Sequence, residues 1–191
     1  MKLVWFMFAL VCLPFWGSAQ EVSKENNYGI DTTFWYPDGE KETRMRVVEE
    51  FKSGTKLPDF KFEDINGKTV SLKAFKGKYV YIDVWASYCG PCMDQLPHLH
   101  ELEKAMAGKN IVFVSISKDP KRKDWENMVK EKKMKGAQWF IGKDKKFKEA
   151  LGITLIPRFI LVDRKGRIVE AYMSRPSNPA TLKVLQALKR I

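Results

Sequence analysis

The chain has 191 residues, 45% of them hydrophobic, with 34 Lys and Arg against 23 Asp and Glu for a formal charge of +11. That is enough apolar material for one real core, while three cysteines are too few for a stapled disulfide scaffold. The positive balance favours anionic surfaces, but the basic residues from Lys118 to Lys135 alternate with Asp119, Asp124, Glu126 and Glu131 on an amphipathic helix, which reads as a solvated face in preference to a docking patch and argues against nucleic acid as a partner.

Residues 1–19 carry Lys2 and then a nearly unbroken apolar run from Leu3 to Trp16, closed by Gly17-Ser18-Ala19. The run is short for a bilayer span of about 20 residues and ends on the small residues that a signal peptidase requires. It reads as a secretory signal peptide cleaved after Ala19. A retained anchor helix and lipidation at Cys12 are the competing readings, and each places the rest of the chain in the periplasm or another extracytoplasmic compartment. Residues 20–55 form an extension rich in turn formers, with one short helix expected from Glu42 to Lys52. Its aromatics Phe34, Trp35 and Tyr36 are expected to pack against the domain or a partner. The remaining residues, 56–191, read as one domain.

From Leu57 onward Phe60-Lys61-Phe62 alternates like a strand, Asn66-Gly67 is a hairpin turn signal, and Thr69 to Leu72 returns as the partner. Tyr79 to Trp85 is β-branched and aromatic on both faces, as a central strand must be, and only Asp83 breaks the apolar run. A helix from Cys89 to about Ala107 and a second buried strand, Ile111 to Ile116, complete a right-handed βαβ unit. Asp119-Pro120 opens another helix bearing Trp125, Met128 and Val129, followed by a short strand from Ala137 to Ile141 and a helical turn from Lys145 to Leu151. Phe159 to Val162 and Ile168 to Tyr172 flank the turn Asp163-Arg164-Lys165-Gly166 as an antiparallel hairpin, and a last helix runs from about Pro179 to Arg190. The sum is an α/β fold with a mixed sheet and helices on both faces.

The chemistry concentrates in Trp85-Ala86-Ser87-Tyr88-Cys89-Gly90-Pro91-Cys92. With the leader and Cys12 gone, this pair is all the cysteine the mature chain holds, and so short a loop constrains little chain entropy. A strand here runs straight into a helix, so Cys89 sits where unpaired backbone N–H groups and the positive end of the helix dipole favour a thiolate. Cys92 lies one turn along, about 5 to 6 Å away, close enough to resolve a mixed disulfide. Thiol-disulfide exchange follows, moving two electrons with no cofactor. Gly90 allows the tight helix entry, and Pro91 needs no N–H donor in the first turn.

Those residues resemble the thioredoxin superfamily, and specifically its exported TlpA/ResA-like branch, over about Leu57 to Ile191. The match rests on the Trp-Ala-x-x-Cys-Gly-Pro-Cys signature with Tyr88 in place of the usual tryptophan, on Pro97, on Gly152-Ile153 to Ile156-Pro157, and on Leu57-Pro58-Asp59-Phe60 with Asn66-Gly67-Lys68. The resemblance implies a thioredoxin-like fold with an N-terminal β-hairpin and a buried acid, Asp83, moving a proton to or from Cys92. It further implies a cis Ile156-Pro157 bond, although X-Pro bonds are ordinarily trans, and a docking surface of Trp85, Tyr88, Ile156 and Pro157. Gln95 departs from the glutamate common in the branch, which detracts from a haem-pathway role, and Arg158 replaces a frequent threonine. The expected activity is reduction of disulfides in exported proteins, with a membrane thiol reductant as donor. Oxidase or isomerase work, cytochrome c maturation and a non-catalytic binding module are the alternatives. Metal binding is disfavoured because His98 and His100 point away from the cysteine pair, and peroxidase chemistry because the cysteines hold redox-pair spacing.

Overall fold

The computed structural model describes residues 53–142 and 146–191. The leader, nearly all of the extension with its expected helix over Glu42 to Lys52 and its Phe34-Trp35-Tyr36 cluster, and the expected helix start at Lys145 lie outside the described residues. In chain order the elements are β1 (Phe62–Asp64), β2 (Thr69–Val70), a 3-10 turn (Leu72–Phe75), β3 (Tyr79–Trp85), α1 (Gly90–Ala105), β4 (Ile111–Ser117) and α2 (Arg122–Glu131). They continue with β5 (Ala137–Phe140), α3 (Lys146–Ala150), β6 (Arg158–Val162), β7 (Ile168–Met173) and α4 (Pro179–Gln186).

One seven-stranded sheet in the order β2-β1-β5-β4-β3-β6-β7 organises the molecule. β3, β4 and β5 run parallel, whereas β1 on β5, β6 on β3 and β7 on β6 are antiparallel, so the expected mixed sheet is present. All seven residues of β3 are buried, and the pleat divides them between two cores. Val80, Ile82 and Val84 meet Val114, Ile116, Ile160 and Phe147 of α3, while Tyr79 and Tyr81 meet Leu99 and Leu102 of α1 and Leu185 of α4. The crossovers β3-α1-β4 and β4-α2-β5 step the same way across the sheet, and right-handedness therefore lays α1 and α2 on one face.

The hairpin β1-β2 is not a free lead-in. It extends the sheet, with Glu63 opposite Phe140 and Asp64 opposite Trp139 in β5. Aromatic packing explains the attachment: Phe62 stacks on Trp139 at 5.5 Å between centroids and meets Phe147 edge-on at 5.2 Å. Some boundaries differ from the sequence reading. The strand starts at Phe62, because the Phe60 N–H turns back to the Pro58 carbonyl. α2 begins at Arg122 instead of Asp119, since Asp119 is engaged at the end of β4 and cannot cap the helix. α4 ends at Gln186, before Arg190 with its left-handed φ of 59°.

Candidate active site

At the carboxyl end of β3 the chain turns through Ala86 to Tyr88 and enters α1, with Cys89 as the N-cap residue at φ −93° and ψ 96°. The Cys92 backbone N–H in the first turn donates to the Cys89 sulfur at 3.2 Å and to the Cys89 carbonyl at 3.1 Å. Pro91 occupies the first turn, where its missing N–H has no consequence. Cys89 and Cys92 are joined as a disulfide with 5.2 Å between their Cα atoms, within the spacing expected for one helical turn. Both are largely buried, at 7% and 6% exposure, in a small cluster with Trp85, Ala86, Trp125 and Phe140.

Asp83 is the charged residue of β3, 8% exposed, between Ser115 of β4 and Phe159 of β6. Alternation puts it on the same face of the strand as Tyr81 and Trp85, the face that carries α1. Burial pushes its carboxyl up to about 7, and the negative charge of Glu103 on α1 adds to the rise. Glu103 is itself raised by burial, with Lys135 acting in the opposite direction.

Across from the disulfide, the Ile156-Pro157 peptide bond is cis, as the family resemblance implies. Ile156 is half-buried and packs against the cysteine cluster, while Tyr88 is 63% exposed and Leu155 46% exposed. Trp85 corrects the expectation of a rim residue: it is 1% exposed and lies beneath the surface. It ends β3 facing inward, and Trp125 of α2 shares the same cluster. Beside the cysteine cluster the exposed large apolar residues are therefore Tyr88 and Leu155. Leu155 was missed by sequence reading, although its place beside Ile156-Pro157 was the available signal.

Two further residues emerge only in three dimensions. Gln95 is buried, and its side-chain oxygen accepts the Ser177 backbone N–H at 3.1 Å, tying α1 to the loop before α4. Asp119, 3% exposed, accepts hydrogen bonds from Ser87 and Ser117 around the turn that leads to Cys89. No spacing rule would have paired Ser87 with a residue 32 positions away.

The Redoxin family profile matches residues 52–188, the whole of the sheet and its helices. The chain belongs to the Redoxin family. Within it, this redoxin is 28% identical to the thiol-disulfide oxidoreductase ResA of Bacillus thuringiensis subsp. konkukian over 122 residues, 64% of this chain and 70% of that protein. A crystal structure of a candidate thiol-disulfide oxidoreductase from Bacteroides vulgatus superposes with a TM-score of 0.69 at 36% identity, covering 73% of this chain and 99% of the other. A solution structure of a candidate thiol-disulfide oxidoreductase from the same organism gives a TM-score of 0.63 at 52% identity, covering 71% and 93%. This redoxin is a thiol-disulfide oxidoreductase of the thioredoxin superfamily, ResA/TlpA-like in sequence and thioredoxin-like in fold.

Proposed function

We propose that this oxidoreductase reduces disulfides of exported proteins, with Cys89 as nucleophile, Cys92 as resolving thiol and Asp83 as the base that serves Cys92. The observation that carries the reading is the position of Cys89: a sulfur at the start of a 16-residue helix, accepting a backbone N–H, is placed to be a thiolate. In the dithiol form the Cys89 thiolate attacks a substrate disulfide, forming a mixed disulfide and expelling one substrate sulfur as thiolate. Asp83 takes the proton of Cys92, whose sulfur then attacks the Cys89 sulfur. The second substrate sulfur leaves, and two electrons have passed from the dithiol to the substrate.

A carboxyl near 7 is suited to this exchange, because it holds either protonation state at neutral pH. Tyr88, Ile156 and Pro157 offer the apolar ledge on which an extended substrate would lie, with Trp85 as its support from below. Residues 1–19 act as the export signal in this reading, residues 20–55 as an extension and residues 56–191 as the catalytic domain, in the periplasm or an equivalent compartment. A membrane thiol reductant then returns the disulfide to the dithiol.

The test is a trap. A Cys92→Ala variant, expressed for export, is expected to accumulate dithiothreitol-sensitive adducts through Cys89 with exported proteins. Recovery of none, with the variant folded and exported, overturns the mechanism. Direction is read separately: the reduced protein should reduce insulin faster than its oxidised form oxidises a reduced peptide, and the opposite ranking assigns it to oxidation.

A further inference from the structure

Among the described residues the mechanism leaves two buried charged side chains unused, Arg158 and Asp119, and Asp119 is the one bonded to the turn before Cys89. Asp119 stands two residues beyond the end of β4 with only 3% of its surface exposed, and both carboxylate oxygens are engaged. Oδ1 accepts the Ser87 hydroxyl at 2.6 Å and Oδ2 accepts the Ser117 hydroxyl at 2.7 Å. The Ser87 backbone N–H lies 3.0 Å from each oxygen, and the Asp119 N–H donates to the Ser117 hydroxyl oxygen at 3.0 Å. The Lys118 N–H donates in turn to the Trp85 carbonyl at 2.9 Å, so the ends of β3 and β4 are fastened at successive points.

Ser87 is the middle residue of the turn, and the Cys89 N–H closes that turn by donating to the Ala86 carbonyl at 3.0 Å. Holding Ser87 therefore fixes where the chain enters α1, and with it where the Cys89 sulfur sits against the helix N–H groups. A solvent-facing surface acid would have water for its partners. Asp119 instead divides its acceptors between Ser87 in this turn and Ser117 at the end of β4, so the turn is tied to the strand beside it, and charge-assisted bonds of this kind are about twice as strong as neutral ones. We propose that Asp119 is a positioning residue for thiol-disulfide exchange, anchoring the Ala86–Tyr88 turn so that Cys89 remains seated on the first turn of α1. The inference rests on the proposed role of Cys89 as nucleophile.

The experiment compares wild type, Asp119→Ala and Asp119→Asn in the full exported protein. It reads the Cys89 titration by thiolate absorbance, the site of iodoacetamide alkylation by mass spectrometry, insulin reduction and far-ultraviolet circular dichroism. In Asp119→Ala with native dichroism, Cys89 is expected to titrate nearer the free-thiol value of about 8.5, and insulin reduction to fall by about tenfold or more, as small misplacements of a reacting group do. Asp119→Asn, whose side-chain oxygen can still accept from Ser87, is expected to lie between. Should Asp119→Ala fail to fold, Ser87→Ala combined with Ser117→Ala keeps the carboxylate and is expected to shift Cys89 in the same direction by less.

An unchanged Cys89 titration and rate in a folded variant overturns the proposal. So does a lowered Cys89 pKa in both Ala and Asn variants, since that result belongs to loss of a negative charge and not to loss of an anchor. Alkylation of wild type at Cys92 in place of Cys89 would instead overturn the nucleophile assignment itself.

Discussion

Asp83 has a measurable signature in stability as well as in rate. Its carboxyl, ordinarily near 3.9 in an unfolded chain, is pushed up to about 7 by burial and by Glu103. A raised acid binds its proton more tightly in the folded state, so its contribution to stability is full below about pH 4 and is lost as pH rises toward 7. Above that, the buried charge costs on the order of 4 kcal/mol by the conversion of 1.36 kcal/mol per pKa unit. Asp83→Asn should therefore melt higher than wild type at pH 8 and lose that advantage by pH 4. It should also slow insulin reduction by about a hundredfold, the lower end of what a positioned base contributes. A melting gain of equal size at both pH values would contradict the assigned titration. Asp83 was legible in the sequence because it is the polar interruption of an apolar strand. Asp119 was not, since Asp-Pro before an amphipathic stretch reads as a helix start, and its partner Ser87 lies in a different element.

At the scale of elements, periodicity and turn signals place the strands, the redox helix, the βαβ unit and both hairpins, while the edge of the sheet that the first hairpin joins was not legible. The hairpin β1-β2 shows why: a three-residue and a two-residue strand carry too little pattern to reveal which edge they join. Its anchor is Arg122 at the start of α2. That guanidinium donates to Glu63 and Glu126 at 2.7 Å each and to the carbonyls of Asp64 and Ile65 at 2.9 and 3.1 Å. Ion pairs with exposed carboxylates contribute little, but the two carbonyl bonds hold the hairpin turn itself. Arg122→Ala should cost about 1 to 3 kcal/mol, speed amide exchange in Phe62 to Val70, and leave insulin reduction within twofold of wild type. Unchanged exchange in the hairpin would show that the aromatic stack of Phe62 on Trp139 suffices to hold it.

At the scale of the molecule, the described residues form two apolar layers on either side of one sheet, and the redox motif lies over a third, smaller cluster at the end of β3. Such an arrangement separates stability from activity in a testable way. Trp125 and Leu185 are both fully buried, at 0% exposure, and both belong to helices on the face that carries α1. Trp125 stacks on Phe140 at 5.4 Å and shares its cluster with Trp85 and both cysteines, whereas Leu185 packs with Tyr81, Leu99 and Leu102 farther down the sheet. Large-to-small substitution at either site should cost about 2 to 5 kcal/mol, lowering the urea midpoint with unchanged slope. Only Trp125→Ala should also depress kcat/KM for insulin, measured at a temperature where both variants are folded, because the cavity opens beneath Trp85 and the turn into Cys89. Equal activity in the two variants would mean that the cysteine motif is held by β3 and α1 alone, with no support required from α2.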